Sequence, residues 1–233
     1  ARDYDDVANG ESAYFVWLNR GKESLELDIK NDADLALLHN ILSRADVFIQ
    51  NLAPGAVEKI GLGSKTLLEK YPQLVICEIS GYGNSGPYKE MKAYDLLVQA
   101  ESGLASITGA VEAPGRVGVS VCDIAAGMNA LSGILLALLE KERTGKGSIL
   151  NVSLFDGMSD WMSVPLIHYE YGGAAPARVG LNHPSISPYG VYTDGDGQSV
   201  LISIQNEREW QSFCENILDN ADLSQQAEYA NNI

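Results

Sequence analysis

Histidine and cysteine are scarce in this chain, with three of each among 233 residues. Cys77, Cys122 and Cys214 are far apart and odd in number. They form neither a metal cluster nor a disulfide framework, and they point to a reducing compartment. His39, His168 and His183 are too dispersed for a metal site. Cations are also few: 16 Lys and Arg stand against 31 Asp and Glu, a formal net charge of −15. That balance argues against non-specific binding to nucleic acid or anionic membranes, so any anionic ligand must be held by a few local cations. No uninterrupted apolar run approaches membrane-spanning length. The segment Ala1-Arg-Asp-Tyr-Asp-Asp6 is polar and acidic, unlike a signal peptide. A Walker loop, a G-x-S-x-G elbow and an H-E-x-x-H pair are all missing, as are internal repeats and low-complexity tracts. With 45% apolar residues, what remains is a globular chain able to bury a sizeable core.

The first half alternates strand and helix patterns. Ser24–Ile29 alternates apolar and polar residues and predicts a strand, and Asp32–Leu42 reads as a helix. Asp46–Gln50 is a short strand that runs into the turn Asn51-Leu-Ala-Pro-Gly55. A helix through Lys65–Lys70 leads to the strand Leu74–Ile79, which Ser80-Gly-Tyr-Gly-Asn-Ser-Gly-Pro87 closes. This order predicts βαβ units and an α/β fold, a parallel sheet with flanking helices. Ligands on such sheets bind beyond the strands' carboxyl ends, here Gln50–Pro54 and Ser80–Pro87.

Asp123 lies in Val119-Ser-Val-Cys-Asp-Ile-Ala-Ala-Gly-Met128, at the mouth of a long apolar helix. Ile124, Met128, Leu131, Leu135 and Leu138 recur at three- and four-residue spacing, with Leu136 and Leu139 widening the stripe, and predict the core face. The free N–H groups of a first helical turn stabilise an anion. Asp123 is therefore either an N-cap or a functional carboxylate. Lys141-Glu-Arg-Thr-Gly-Lys-Gly147 ends the helix with cations and a glycine. Ser148–Leu154 then predicts a strand, and Phe155–Tyr169 one amphipathic helix. Gly172–Pro188 is rich in glycine, alanine and proline, as a boundary or active-site loop is. A hairpin around Asp194-Gly-Asp-Gly197 and a helix over Glu207–Leu218 complete the pattern. The expected organisation is a large domain over residues 1–171, a linker or active-site loop over 172–190, and the start of a small α+β domain over 191–233.

The motifs in order resemble the class III CoA-transferases of the CaiB/BaiF type. Asn19-Arg-Gly-Lys-Glu-Ser24 with Leu25-Glu-Leu-Asp-Ile-Lys30 is similar to that family's N-R-G-K-x-S-x-x-L-D-x-K. Ala45-Asp-Val-Phe-Ile-Gln-Asn-Leu-Ala-Pro-Gly55 resembles its A-D-V-x-x-x-N-x-x-P-G. Ile79-Ser-Gly-Tyr-Gly, Ala93-Tyr-Asp95 and Arg143-Thr-Gly-Lys-Gly147 follow in the expected sequence. The resemblance implies a Rossmann-like large domain and an internal stretch of a longer protein that lacks the first βαβ unit. It implies a cytoplasmic enzyme (or one of the mitochondrial matrix in a eukaryote) that works as an interlocked homodimer. Coenzyme A and acyl-CoA are implied as substrates, with no permanently bound cofactor, no metal, no nucleic acid and no membrane partner.

The resemblance also assigns roles. Asp123 falls on the family's nucleophile, which passes through an aspartyl mixed anhydride and an aspartyl-CoA thioester. A helix N-terminus is expected to lower its pKa. Leu27, Asp28, Ile29 and Lys30 fall on the stretch that packs on adenine and meets the nucleotide phosphates. Asn51, Leu52, Ala53 and Lys59 fall on the turn along the pantetheine and phosphate arm. Lys92, Ala93 and Tyr94 fall on the approach to the nucleophile. The related α-methylacyl-CoA racemases carry a histidine base where this chain has Tyr94, which leaves a racemase as an alternative lacking one of its two bases. An inactive CoA-binding or oligomerisation module is the other alternative. Asn182–Gly190 and Ile204–Trp210 are similar to members acting on succinyl-CoA and C4–C5 dicarboxylates.

Overall fold

The computed structural model describes residues 2–230. The chain divides into two compact units, one extending to Ala45 and the other starting at Asp46. The first unit holds helices α1 (Ala13–Leu18) and α2 (Asp32–Leu42). Asn31 caps α2 by accepting from the Ala33 N–H at 2.9 Å and the Asp34 N–H at 3.3 Å. The predicted strand over Ser24–Ile29 does not form. Residues 22–28 carry no ladder partner among the described residues, and the Asp28 N–H turns instead to Asp34 Oδ2 at 2.9 Å. Alternation alone cannot make a strand where no neighbour takes its backbone groups.

The second unit starts with β1 (Val47–Gln50), α3 (Ala56–Lys59), α4 (Ser64–Lys70) and β2 (Val75–Ser80). It continues with α5 (Asp95–Glu101), α6 (Leu104–Ile107), α7 (Val121–Thr144) and β3 (Ile149–Ser153). The last elements are α8 (Leu154–Trp161), α9 (Ser163–Gly172), the strands β4 (Tyr189–Thr193) and β5 (Ser199–Ser203), α10 (Glu207–Asn216) and a 3₁₀ turn at Ala221–Gln225. Strands β1, β2 and β3 form one parallel sheet in that order, with Val47 opposite Val75 and Ile76 opposite Ile149. The mixed α/β class with helices flanking a parallel sheet is the expected one.

Both faces of β2 are covered, as a parallel sheet requires. Cys77 and Ile79 pack with Ala130, Ile134 and Leu138 of α7. Glu78, on the alternate face, accepts from Ser64 Oγ at the start of α4. The salt bridge between Lys141 Nζ and Asp46 Oδ1, 2.9 Å, ties the end of α7 to the start of β1. Helix α7 therefore runs against the strands, and its N-terminus lies at their carboxyl edge. The hairpin β4–β5 forms as predicted. Asp194 Oδ1 closes it by accepting from the N–H groups of Asp196 and Gln198 at 3.0 and 2.7 Å.

Two expectations are corrected here. The stripe Ile124, Met128, Leu131, Leu135, Leu136 and Leu139 is the exposed side of α7, with Leu136 68% accessible. The buried side is made of Cys122, Ala125, Ala126, Ala130, Ile134 and Ala137. Small side chains let the helix backbone approach the sheet closely, and that contact outweighs the bulkier stripe. Phe155–Tyr169 is not one helix but α8 and α9, broken at Met162. Pro165 sits in the first turn of α9, where its missing N–H costs nothing, whereas in a continuous helix its ring would clash with the Trp161 carbonyl.

Candidate active site

The carboxyl ends of the three parallel strands are Gln50, Ser80 and Ser153. After Gln50 the chain turns through Asn51, Leu52 and Ala53, all exposed, and the Leu52 N–H donates to Gln50 Oε1 at 2.8 Å. Gly55, with φ of 72°, starts the short helix α3, whose last residue, Lys59, is exposed. After Ser80 the loop is held by the Gly83 N–H on Ser80 Oγ at 3.0 Å and by the Phe155 N–H on the Gly81 carbonyl at 3.0 Å. Buried Glu78 anchors the same loop by accepting from Asn84 Nδ2 at 2.7 Å.

Ala93 packs against the core cluster of Val98, Cys122, Ala125 and Met158. It lies so close to Gly81 that a Cβ there would occupy the same space. The approach segment is thus seated on the β2 loop. Lys92 and Tyr94 on either side of Ala93 are exposed, Tyr94 at 67%. Directly after them Asp95 opens α5. Its Oδ1 accepts from the Cys122 N–H at 2.8 Å and the Asp123 N–H at 3.4 Å. Its Oδ2 accepts from Gln99 Nε2 at 2.7 Å, and Gln99 Oε1 accepts from the Val117 N–H at 2.9 Å. Gln99 is fully buried.

Asp123 is the third residue of α7, and Ser120 occupies the N-cap position without a side-chain bond. The cap is supplied by Asp95 instead. Asp123 is exposed, yet surrounding atoms partly desolvate it, and this burial, with the charge of Asp95, raises its carboxyl above the ordinary 3.8. The expected lowering by the helix terminus is therefore overturned: the first-turn donors are already engaged by a second carboxylate. Cys122 beside it is buried, and burial together with Asp95 pushes its thiol up to about 12, so it stays a neutral core residue.

Leu27, Asp28, Ile29 and Lys30 belong to the first unit. Leu27 and Ile29 are half-buried, and Asp28 and Lys30 are exposed. Asp28 Oδ1 accepts from the Lys30 N–H at 3.0 Å and shapes the turn into α2. In the second unit the structure brings together the 80–87 loop, Ala93, Asp95 and the start of α7 with Asp123. Asn51–Ala53 lies at the same sheet edge. Asp95 and Gln99 are absent from the sequence-derived site. Their i, i+4 spacing in Asp95-Leu-Leu-Val-Gln99 was the available signal. A separate hollow of about 300 Å³, lined by Glu101, Ser106, Phe155, Met162, Leu166 and Tyr169 among others, does not include Asp123.

An α/β protein with an open carboxylate at the carboxyl edge of a parallel sheet is the class that fold and site define. The chain belongs to CoA-transferase family III, whose sequence profile matches residues 1–233. It is 36% identical over 216 residues to the acetyl-CoA:oxalate CoA-transferase of Acetobacter aceti, covering 92% of this chain and 55% of that one. It is 35% identical over 228 residues to the succinate–glutarate CoA-transferase of Agrobacterium fabrum, covering 97% of this chain and 56% of that one. A crystal structure of a CAIB/BAIF family protein from Brucella suis superposes with a TM-score of 0.81 at 33% identity. That match covers 100% of this chain and 61% of the other. The chain spans about half the length of the curated relatives it matches.

Proposed function

We propose that the protein carrying this chain is a CoA-transferase that moves CoA from an acyl-CoA, of the succinyl-CoA type, to a dicarboxylic acid of four or five carbons. Asp123 is its nucleophile. The observation that carries this reading is an exposed carboxylate at the sheet's carboxyl edge that makes no hydrogen bond or ion pair among the described residues. It does not cap its own helix, so its oxygens are available for attack.

The steps balance without oxidant or reductant. An Asp123 oxygen attacks the thioester carbonyl, the C–S bond breaks, and CoA thiolate leaves with the electron pair. The thiolate attacks the aspartyl carbonyl of the anhydride and expels the donor carboxylate, leaving CoA on Asp123. The acceptor carboxylate attacks that thioester and releases thiolate, which then attacks the acceptor's acyl carbon and regenerates Asp123. Each tetrahedral intermediate needs hydrogen-bond donors for its oxyanion, and the glycine-rich 80–87 loop supplies backbone N–H groups at the same edge. The resemblance gives this acidic chain Lys30 in the first unit and Lys59 in the second as cations for CoA phosphates, and Lys92 as a cation on the approach to Asp123. The names of the Acetobacter and Agrobacterium relatives support a dicarboxylate acceptor; glutarate fits the Asn182–Gly190 and Ile204–Trp210 resemblance.

The test is exchange of CoA between succinyl-CoA and glutarate by the complete protein in D₂O. Transfer should proceed with no deuterium at the α-carbon, and Asp123→Asn should lose at least ~10³-fold in rate. Tyr94→Phe should cost roughly tenfold or less, since this exposed side chain serves only to position. Deuterium uptake matching turnover would establish the racemase alternative instead.

A further inference from the structure

We propose that Asp95 and Gln99 are positioning residues for Asp123: a buried amide holds one carboxylate on the first turn of α7 so that the next carboxylate stays free to react. The inference rests on the nucleophile reading above and deepens it. Both ends of the Gln99 side chain are engaged, with Nε2 donating to Asp95 Oδ2 at 2.7 Å and Oε1 accepting from the Val117 N–H at 2.9 Å. Only one orientation of the amide satisfies a carboxylate on one side and an N–H on the other. Asp95 is thereby fixed with Oδ1 facing the Cys122 and Asp123 N–H groups at 2.8 and 3.4 Å. The cap is thus applied from α5, the backbone of Asp123 is tethered, and its side chain is left without a partner.

The same arrangement places charge. The ionisable groups on elements packed against α7 are Asp95 and Glu101 on α5, Asp156 and Asp160 on α8, and Cys77 and Glu78 on β2. Of these, Asp95 is the one whose charge acts on Asp123. No Lys or Arg pairs with either carboxylate among the described residues. Acylation makes Asp123 neutral, so the first step, which converts its carboxylate to the mixed anhydride, relieves the repulsion from Asp95, and the last step restores it. A simple structural cap has no such coupling to the reaction.

The experiment uses the complete protein with succinyl-CoA and measures single-turnover labelling of Asp123 across pH for wild type, Asp95→Asn and Gln99→Met. Gln99→Met should lower the labelling rate about tenfold to a hundredfold with KM for succinyl-CoA little changed, because the charge remains but its placement is lost. Its acid limb should stay where the wild type's lies. Asp95→Asn should lower the rate and also move the acid limb to lower pH, because the charge that raises Asp123 is gone. Wild-type rates and acid limbs in folded variants overturn the proposal while leaving the nucleophile reading intact. Should Asp95→Asn fail to fold, Gln99→Met alone decides: a rate loss that follows KM or thermal stability rather than kcat overturns the positioning role. Wild-type label on a residue other than Asp123 overturns both readings.

Discussion

At Asp123 two electrostatic effects of opposite sign meet. A helix N-terminus favours an anion by roughly 0.3–1 kcal/mol near the surface, whereas burial and a neighbouring carboxylate disfavour it. The second effect wins because Asp95 has already taken the Cys122 and Asp123 N–H groups. The position of Asp123 was legible from its motif, but the direction of its shift was not, since it depends on a residue 28 positions away. The consequence for stability follows from the sign. A carboxyl raised above 3.8 in the fold contributes stability while protonated, fully below that value, and loses it as pH rises through the folded-state value. Asp123→Asn should therefore raise Tm at neutral pH even as it abolishes transfer, and the two proteins should converge below about pH 4. Thermal unfolding followed across that range checks this. A lower Tm for Asp123→Asn at pH 7 would mean that the ionised side chain has a stabilising partner.

The elements were legible where local chemistry decided them and obscure where packing did. Helix α2 spans Asp32–Leu42, the span its apolar spacing predicted. The parallel strands and the Asp194–Gly197 hairpin also follow from turn residues and short apolar runs. Helix α7 misled because both of its sides are apolar. A pattern of large residues against small ones cannot by itself say which side meets the sheet, and here the alanines do. By length and composition the same helix could cross a membrane. The break between α8 and α9 was written in Pro165, whose effect depends on its distance from a helix start. Gly81 gives an element-scale prediction. Gly81→Ala would place a methyl group on Ala93, so the 92–94 segment or the β2 loop must move. A loss of about 1–3 kcal/mol is expected from the overpacking, with transfer falling more than CoA-ester binding. Denaturant unfolding beside kcat and KM measures both, and wild-type stability would show the two segments to be independent.

For the molecule as a whole, charge and chemistry pull apart. A net charge of −15 repels a CoA ester at long range. On the proposed function, recognition of a CoA ester falls to a few cations at close range, which the resemblance assigns to Lys30 and Lys59. Both are exposed. The fold, the sheet edge and the family were readable from ordered motifs, because the motifs lie where one element gives way to the next, as Arg143–Gly147 does between α7 and β3. The Asp95–Gln99 relay was not, because its local i, i+4 bond gains its meaning only from the bonds onward to Val117, Cys122 and Asp123, 18, 27 and 28 positions away. The account stands on one covalent event. The complete protein incubated with succinyl-CoA, trapped with hydroxylamine or borohydride and mapped by peptide mass, should carry the modification on the Asp123 peptide. Modification of Asp95 or Asp156 with Asp123 untouched would contradict it.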